Sequence, residues 1–76
     1  MGETMADVRA PMSGNVYKIL VKTGDQVQAD DDLLIMEVMK MEVPVTAPQG
    51  GVIKDLAVRE DDTVEAEALL AVIDPQ

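Results

Sequence analysis

The chain has no Cys, His, Trp or Phe, and Tyr17 is its single aromatic residue. Without Cys or His there is no thiolate nucleophile, no Ser–His pair, no zinc site of the usual ligand set and no disulfide. Without aromatics there is no platform on which single-stranded nucleic acid could stack, and a net charge of -9 repels a phosphate backbone. No apolar run approaches the roughly 20 residues a membrane span needs, and no signal-peptide pattern opens the chain. The expectation is a soluble protein, cytoplasmic by default, that is not a free-standing enzyme.

What is present favours strands. The 76 residues include eleven Val, four Ile, six Leu and eight Ala, a set suited to a pleated, half-buried surface. A chain this short buries only about 60% of its unfolded surface, so a compact all-β fold with short turns is expected. The sequence also repeats itself. Shifted by 37 positions, residues 10–37 align with 47–74 without a gap, and eight of the 28 pairs are identical: Ala10/Ala47, Pro11/Pro48, Gly14/Gly51, Val21/Val58, Asp25/Asp62, Val27/Val64, Ala29/Ala66 and Leu33/Leu70. Composition alone gives about two. Two copies are too few for a solenoid and point to two similar β units related by a pseudo-twofold axis.

Each unit carries the same signals. Pro and Gly open a turn, a strand follows over 16–22 or 52–59, and a polar turn comes next. In that turn Asp61 replaces Gly24, and Asp is among the few residues that tolerate a left-handed backbone. A short segment around Val27 or Val64 leads to an apolar strand over 33–36 or 69–73, whose unbroken apolar run suggests burial on both faces. The Ala content of 66–72 also permits a helix, but three successive Asp in the matching copy argue against one.

The acidity has an address. Asp25, Asp30, Asp31 and Asp32 in the first copy and Glu60, Asp61, Asp62, Glu65 and Glu67 in the second account for the whole net charge. A cation site or docking surface is one reading. Neither stretch has the alternating ligands and closing Glu of a calcium loop, so solvated turns that keep edges unpaired are the expectation.

Residues 38–46 belong to neither copy. Apolar strands lead in from Leu33 and out through Val45, so the chain must turn near Met39, Lys40 and Met41. A tight hairpin needs positive φ at its central residues, which normally selects Asn-Gly or Asp-Gly, yet Met and Lys stand here. Local rules are broken most often at functional positions. Lys40 is also the only basic residue between Lys22 and Lys54.

The segment Glu37-Val38-Met39-Lys40-Met41-Glu42, followed by Ala47-Pro48 and Gly51, resembles the attachment segment of the biotinyl/lipoyl carrier family. The similarity runs from about Val8 to Asp74. It implies a flattened barrel or sandwich of two four-stranded antiparallel sheets with an internal pseudo-twofold, the acceptor lysine sitting at an exposed hairpin tip. It implies domain bounds of 1–6 for a flexible N-terminus and 7–76 for the carrier, with 38–46 as the attachment hairpin. Lys40 matches the acceptor, Met39 and Met41 the flanking methionines that favour biotin over lipoate, and Glu37 the acidic position three before the lysine. Val38 stands where biotin carriers usually have Ala. The gapless repeat leaves no room for the protruding loop of carriers from multi-subunit bacterial acetyl-CoA carboxylases.

The resemblance implies a non-catalytic carrier. A biotin protein ligase would supply biotinyl-adenylate, and the Lys40 amine would form an amide, taking the formal net charge from -9 to -10. The swinging arm would then carry carboxybiotin between biotin carboxylase and carboxyltransferase or decarboxylase sites. The alternatives are a lipoyl carrier, or an acceptor of both groups, on the same lysine, and an unmodified β module acting through its surface.

Overall fold

The computed structural model describes residues 5–75. Eight strands are found there: β1 (Ala6–Arg9), β2 (Gly14–Ile19), β3 (Gln26–Val27), β4 (Asp32–Val38), β5 (Met41–Thr46), β6 (Gly51–Leu56), β7 (Thr63–Val64) and β8 (Leu69–Asp74). They form two four-stranded antiparallel sheets, ordered β1-β8-β6-β3 and β5-β4-β2-β7. Each sheet keeps two edges, so the fold is a flattened sandwich and not a closed barrel. No helix occurs among the described residues, so 66–72 is turn followed by strand. Most of the stretch expected to be flexible, residues 1–4 of 1–6, lies outside the described residues, and β1 opens at Ala6.

The pseudo-twofold reaches every level of the structure. On β2 and β4, Val16 faces Met36 and Ile19 faces Leu34; 37 residues later, on β6 and β8, Ile53 faces Ile73 and Leu56 faces Ala71. The Val16 N–H donates to the Asp62 carbonyl at 2.8 Å, and the Ile53 N–H donates to the Asp25 carbonyl at 2.8 Å. The fully or nearly buried core is Val8, Ala10, Val16, Val27, Leu33, Leu34 and Met36 with their partners Val45, Ala47, Ile53, Val64, Leu70, Ala71 and Ile73. Each buried Leu or Ile contributes about 1.5–3 kcal/mol relative to exposure, so this shared layer is what holds the sheets together.

Three features differ from the sequence reading. The structural repeat begins earlier than Ala10: β1 pairs with β8 as 43–46 pairs with β4, Val8 facing Ala71 where Val45 faces Leu34. Only Val8/Val45 match in type, which hid this strand pair from the alignment. The long strands are also shorter than 16–22 and 52–59, ending at Ile19 and Leu56. The apolar run of β4 is not buried on both faces: Leu33 and Leu34 are both inside, whereas Ile35 is half-buried and Glu37 exposed. An irregularity in the β4–β5 register between Asp32 and Leu34 lets two consecutive residues turn inward. The described domain measures 41 × 19 × 18 Å.

Candidate functional site

The β4–β5 ladder runs from Asp32 facing Thr46 to Val38 facing Met41 and leaves Met39 and Lys40 as a two-residue turn. Both adopt left-handed backbone, with φ of 51° and 68°. This is the sense that matches the twist of antiparallel strands, reached without the Asn or Gly that normally supplies it. Met39, Lys40 and Met41 are all exposed. Below them Val38 is half-buried and packs against the core. Gly14 of β2 lies close under this base: a Cβ there would come within 2.6 Å of the Glu37 carbonyl oxygen and 2.8 Å of Val38 Cγ2. The glycine expected only to open a turn is therefore also required where β2 passes beneath the hairpin.

Glu37 and Glu42 face each other directly on the last rung but one, both exposed. Like charges in that position repel, so the rung below the tip is held by its neighbours and not by its own side chains. The ion pairs among the described residues are Arg9–Asp7 and Lys22–Asp25, and Lys40 joins neither. Its ammonium projects from a turn flanked by two thioethers and underlain by two carboxylates.

The Asp30–Asp32 cluster sits at the foot of the hairpin. With Asp32 facing Thr46, the strand rise puts it about 20 Å from the tip. The second acidic stretch reaches the hairpin's own sheet through β7. Thr63 faces Asn15, Asn15 faces Glu37, and the Asp62 carbonyl accepts from Val16 N–H, which places that stretch on the lysine's half of the molecule. Thr63 Oγ1 donates to Asn15 Oδ1 at 3.1 Å, extending a polar row from Glu42 and Glu37 across the sheet.

Several of these acids form turns. Asp25 and Asp62 accept from the Lys22 and Arg59 N–H groups, Asp31 from Gln28 N–H, each at 2.9 Å, and Glu60 from Ile19 N–H at 3.0 Å. The Lys22 backbone N–H, with its side-chain ammonium second, holds the Asp25 carboxyl below the usual carboxylate range. Among the described residues no group of three or more acidic side chains is placed to hold a metal ion. Among the described residues no helix is long and apolar enough to cross a membrane.

The structure thus brings Glu37, Met39, Lys40 and Met41 to one end of one hairpin. It adds Gly14, Val38 and Glu42 as supporting residues; the Gly14/Gly51 identity in the repeat was the signal for the first.

Comparison with known proteins agrees with this geometry. The family model described as "Biotin-requiring enzyme", for biotin/lipoyl domains, matches residues 6–73. The Biotin/lipoyl attachment protein of Bacillus subtilis is 41% identical over 64 residues, 83% of this chain and 88% of that protein. The Biotinylated protein TB7.3 homolog of Mycobacterium leprae is 40% identical over 67 residues, 88% of this chain and 94% of that protein. Among solved structures, Kluyveromyces lactis urea carboxylase superposes with a TM-score of 0.89 at 31% identity, covering 97% of this chain but only 6% of that one. With the family model matched across residues 6–73, the β4–β5 hairpin included, the chain belongs to the biotin/lipoyl attachment family.

Proposed function

We propose that this chain is a biotin carboxyl carrier in which Lys40 is the site of covalent attachment. The observation that carries the reading is the hairpin itself: a lysine in left-handed backbone, exposed at the tip of the strand pair that joins the two halves. Lys40 Nζ would form the amide, with loss of a proton and departure of AMP from biotinyl-adenylate. Once attached, biotin supplies a ureido ring that can carry a carboxyl group. Met39 and Met41 would present an apolar label to the ligase on either side of the amine, and Glu37 an acidic one. The chain's own task is presentation: a stiff, symmetric support holds the arm clear of the core so that one tether reaches two separate active sites.

The partners that fit are a biotin protein ligase, a biotin carboxylase, and a carboxyltransferase or decarboxylase, with no catalytic group contributed by this domain. Support for carboxylase partners comes from the match to a domain occupying 6% of urea carboxylase. The lipoyl reading is weaker because both neighbours of Lys40 are methionine. Incubation with a biotin ligase, ATP and biotin, followed by intact mass, tests the proposal. One biotinoyl addition that is lost in Lys40→Arg is expected; addition only with a lipoyl ligase and lipoate, or with neither enzyme, would overturn it.

A further inference from the structure

The six methionines are the only sulfur in the chain. With no thiol to react first, a peroxide meets thioethers as the softest nucleophiles available. Their exposure is sharply graded. Met39 is 90% exposed and Met41 67%, Met12 and Met5 are 43% and 40%, and Met36 is fully buried. Three of these lie on one hairpin within six residues, so the same element holds the two most open thioethers and a shielded one.

The reason is local. Met39 and Lys40 close the β4–β5 ladder as a left-handed two-residue turn at the end of the sheet, and Val38 below them already packs between Gly14 and the core. Met39 therefore has no apolar surface to cover it. Exposed apolar side chains on either side of the proposed attachment lysine are placed to meet a ligase, and an apolar contact is weakened when the side chain becomes polar.

We infer that Met39 and Met41 are oxidation sites, and that their conversion to sulfoxides by a hydroperoxide lowers the acceptance of biotin at Lys40. This rests on the assignment of Lys40 as the attachment residue. In the step, a sulfur lone pair attacks one peroxide oxygen, an S–O bond forms and the O–O bond breaks. The departing oxygen takes up the proton released from the oxygen now on sulfur and leaves as water from hydrogen peroxide, or as an alcohol from an organic hydroperoxide, so sulfur loses two electrons and the peroxide gains them. The sulfoxide places a strong hydrogen-bond acceptor on each side of the amine, where the ligase would otherwise meet thioether. Reduction by a methionine sulfoxide reductase restores the original label.

The test treats the full chain with hydrogen peroxide, maps oxidation by peptide mass, and then measures the initial rate of biotinylation. Oxidation is expected at Met39 first, Met41 next and Met36 last, with a rate lower by about tenfold, the effect of one polar group placed in an apolar contact. The reductase should restore the rate, and Met39→Leu/Met41→Leu should be biotinylated at a rate that peroxide no longer changes. Oxidation of Met36 as fast as Met39 would overturn the exposure argument. An unchanged rate with both sulfoxides in place would overturn the gating argument. Failure of the untreated chain to accept biotin would instead sink the attachment assignment, leaving the order of oxidation as a separate result.

Discussion

The molecule holds left-handed backbone in two kinds of place. Gly24 and Asp61 (φ 97° and 75°) and Asp30 and Glu67 (φ 73° and 72°) occupy equivalent turns of the two halves. Each sends its N–H across the pseudo-twofold: Gly24 to the Ile53 carbonyl, Asp61 to Val16, Asp30 to Ala47 and Glu67 to Ala10. Met39 and Lys40 adopt the same conformation, yet neither sends a comparable bond to the other half among the described residues. Unfavourable backbone at a non-glycine residue costs about 1–3 kcal/mol. In the framework that cost is offset by bonds that join the halves. At the tip it is offset by nothing that binds the halves, and what it yields is the projection of one lysine.

If the two halves are equivalent supports, equivalent deletions should cost the same. Leu33→Ala and Leu70→Ala, both fully buried, should each lower stability by about 2–5 kcal/mol. Urea unfolding that separates them by several kcal/mol would break the comparison. Gly14→Ala and Gly51→Ala should each cost about 1–3 kcal/mol from crowding against the Glu37 and Asp74 carbonyls. Gly51→Ala should be the worse in thermal melts because φ there is 154°, whereas only Gly14→Ala should slow modification of Lys40. Remaking the tip as Met39→Asn/Lys40→Gly should raise stability by about 1 kcal/mol while removing the acceptor, since the new residues suit the turn. A loss of stability would show that the tip is not strained.

The smallest effect concerns Asp25. Its carboxyl titrates below its unfolded value, so its contribution is complete above about pH 4 and is lost as pH falls through the lower folded value. Acid titration of Asp25→Asn should therefore show a shallower loss of stability below that pH than the unaltered chain. Equal slopes would remove Lys22 as the cause.

Much of this was legible in the residues. The repeat from Ala10 marked both sheets, the Asp61/Gly24 exchange marked a left-handed turn, and the Met-Lys pair marked a turn of the wrong composition. Three things were not. β1 was invisible because its pairing with β8 depends on register with a distant strand, and only Val8 preserved residue type. The left-handed Asp30 and Glu67 lack any local signal, since the bond that fixes each comes from the opposite half. The arrival of the second acidic stretch on the hairpin's own sheet was not legible either, because β7 delivers it from more than twenty residues away. Local chemistry was readable, and contacts made across the pseudo-twofold were not.

On the proposed reading the tip, and not mere exposure, selects Lys40 for attachment. Lys18, Lys22 and Lys54 are exposed, as Lys40 is, but they stand on the framework. Site mapping by tandem mass spectrometry of the chain after limited treatment with biotin ligase, ATP and biotin tests this directly. Biotin on Lys40 alone is expected; biotin on Lys18, Lys22 or Lys54 to a comparable extent, or a chain left unmodified, would contradict the reading.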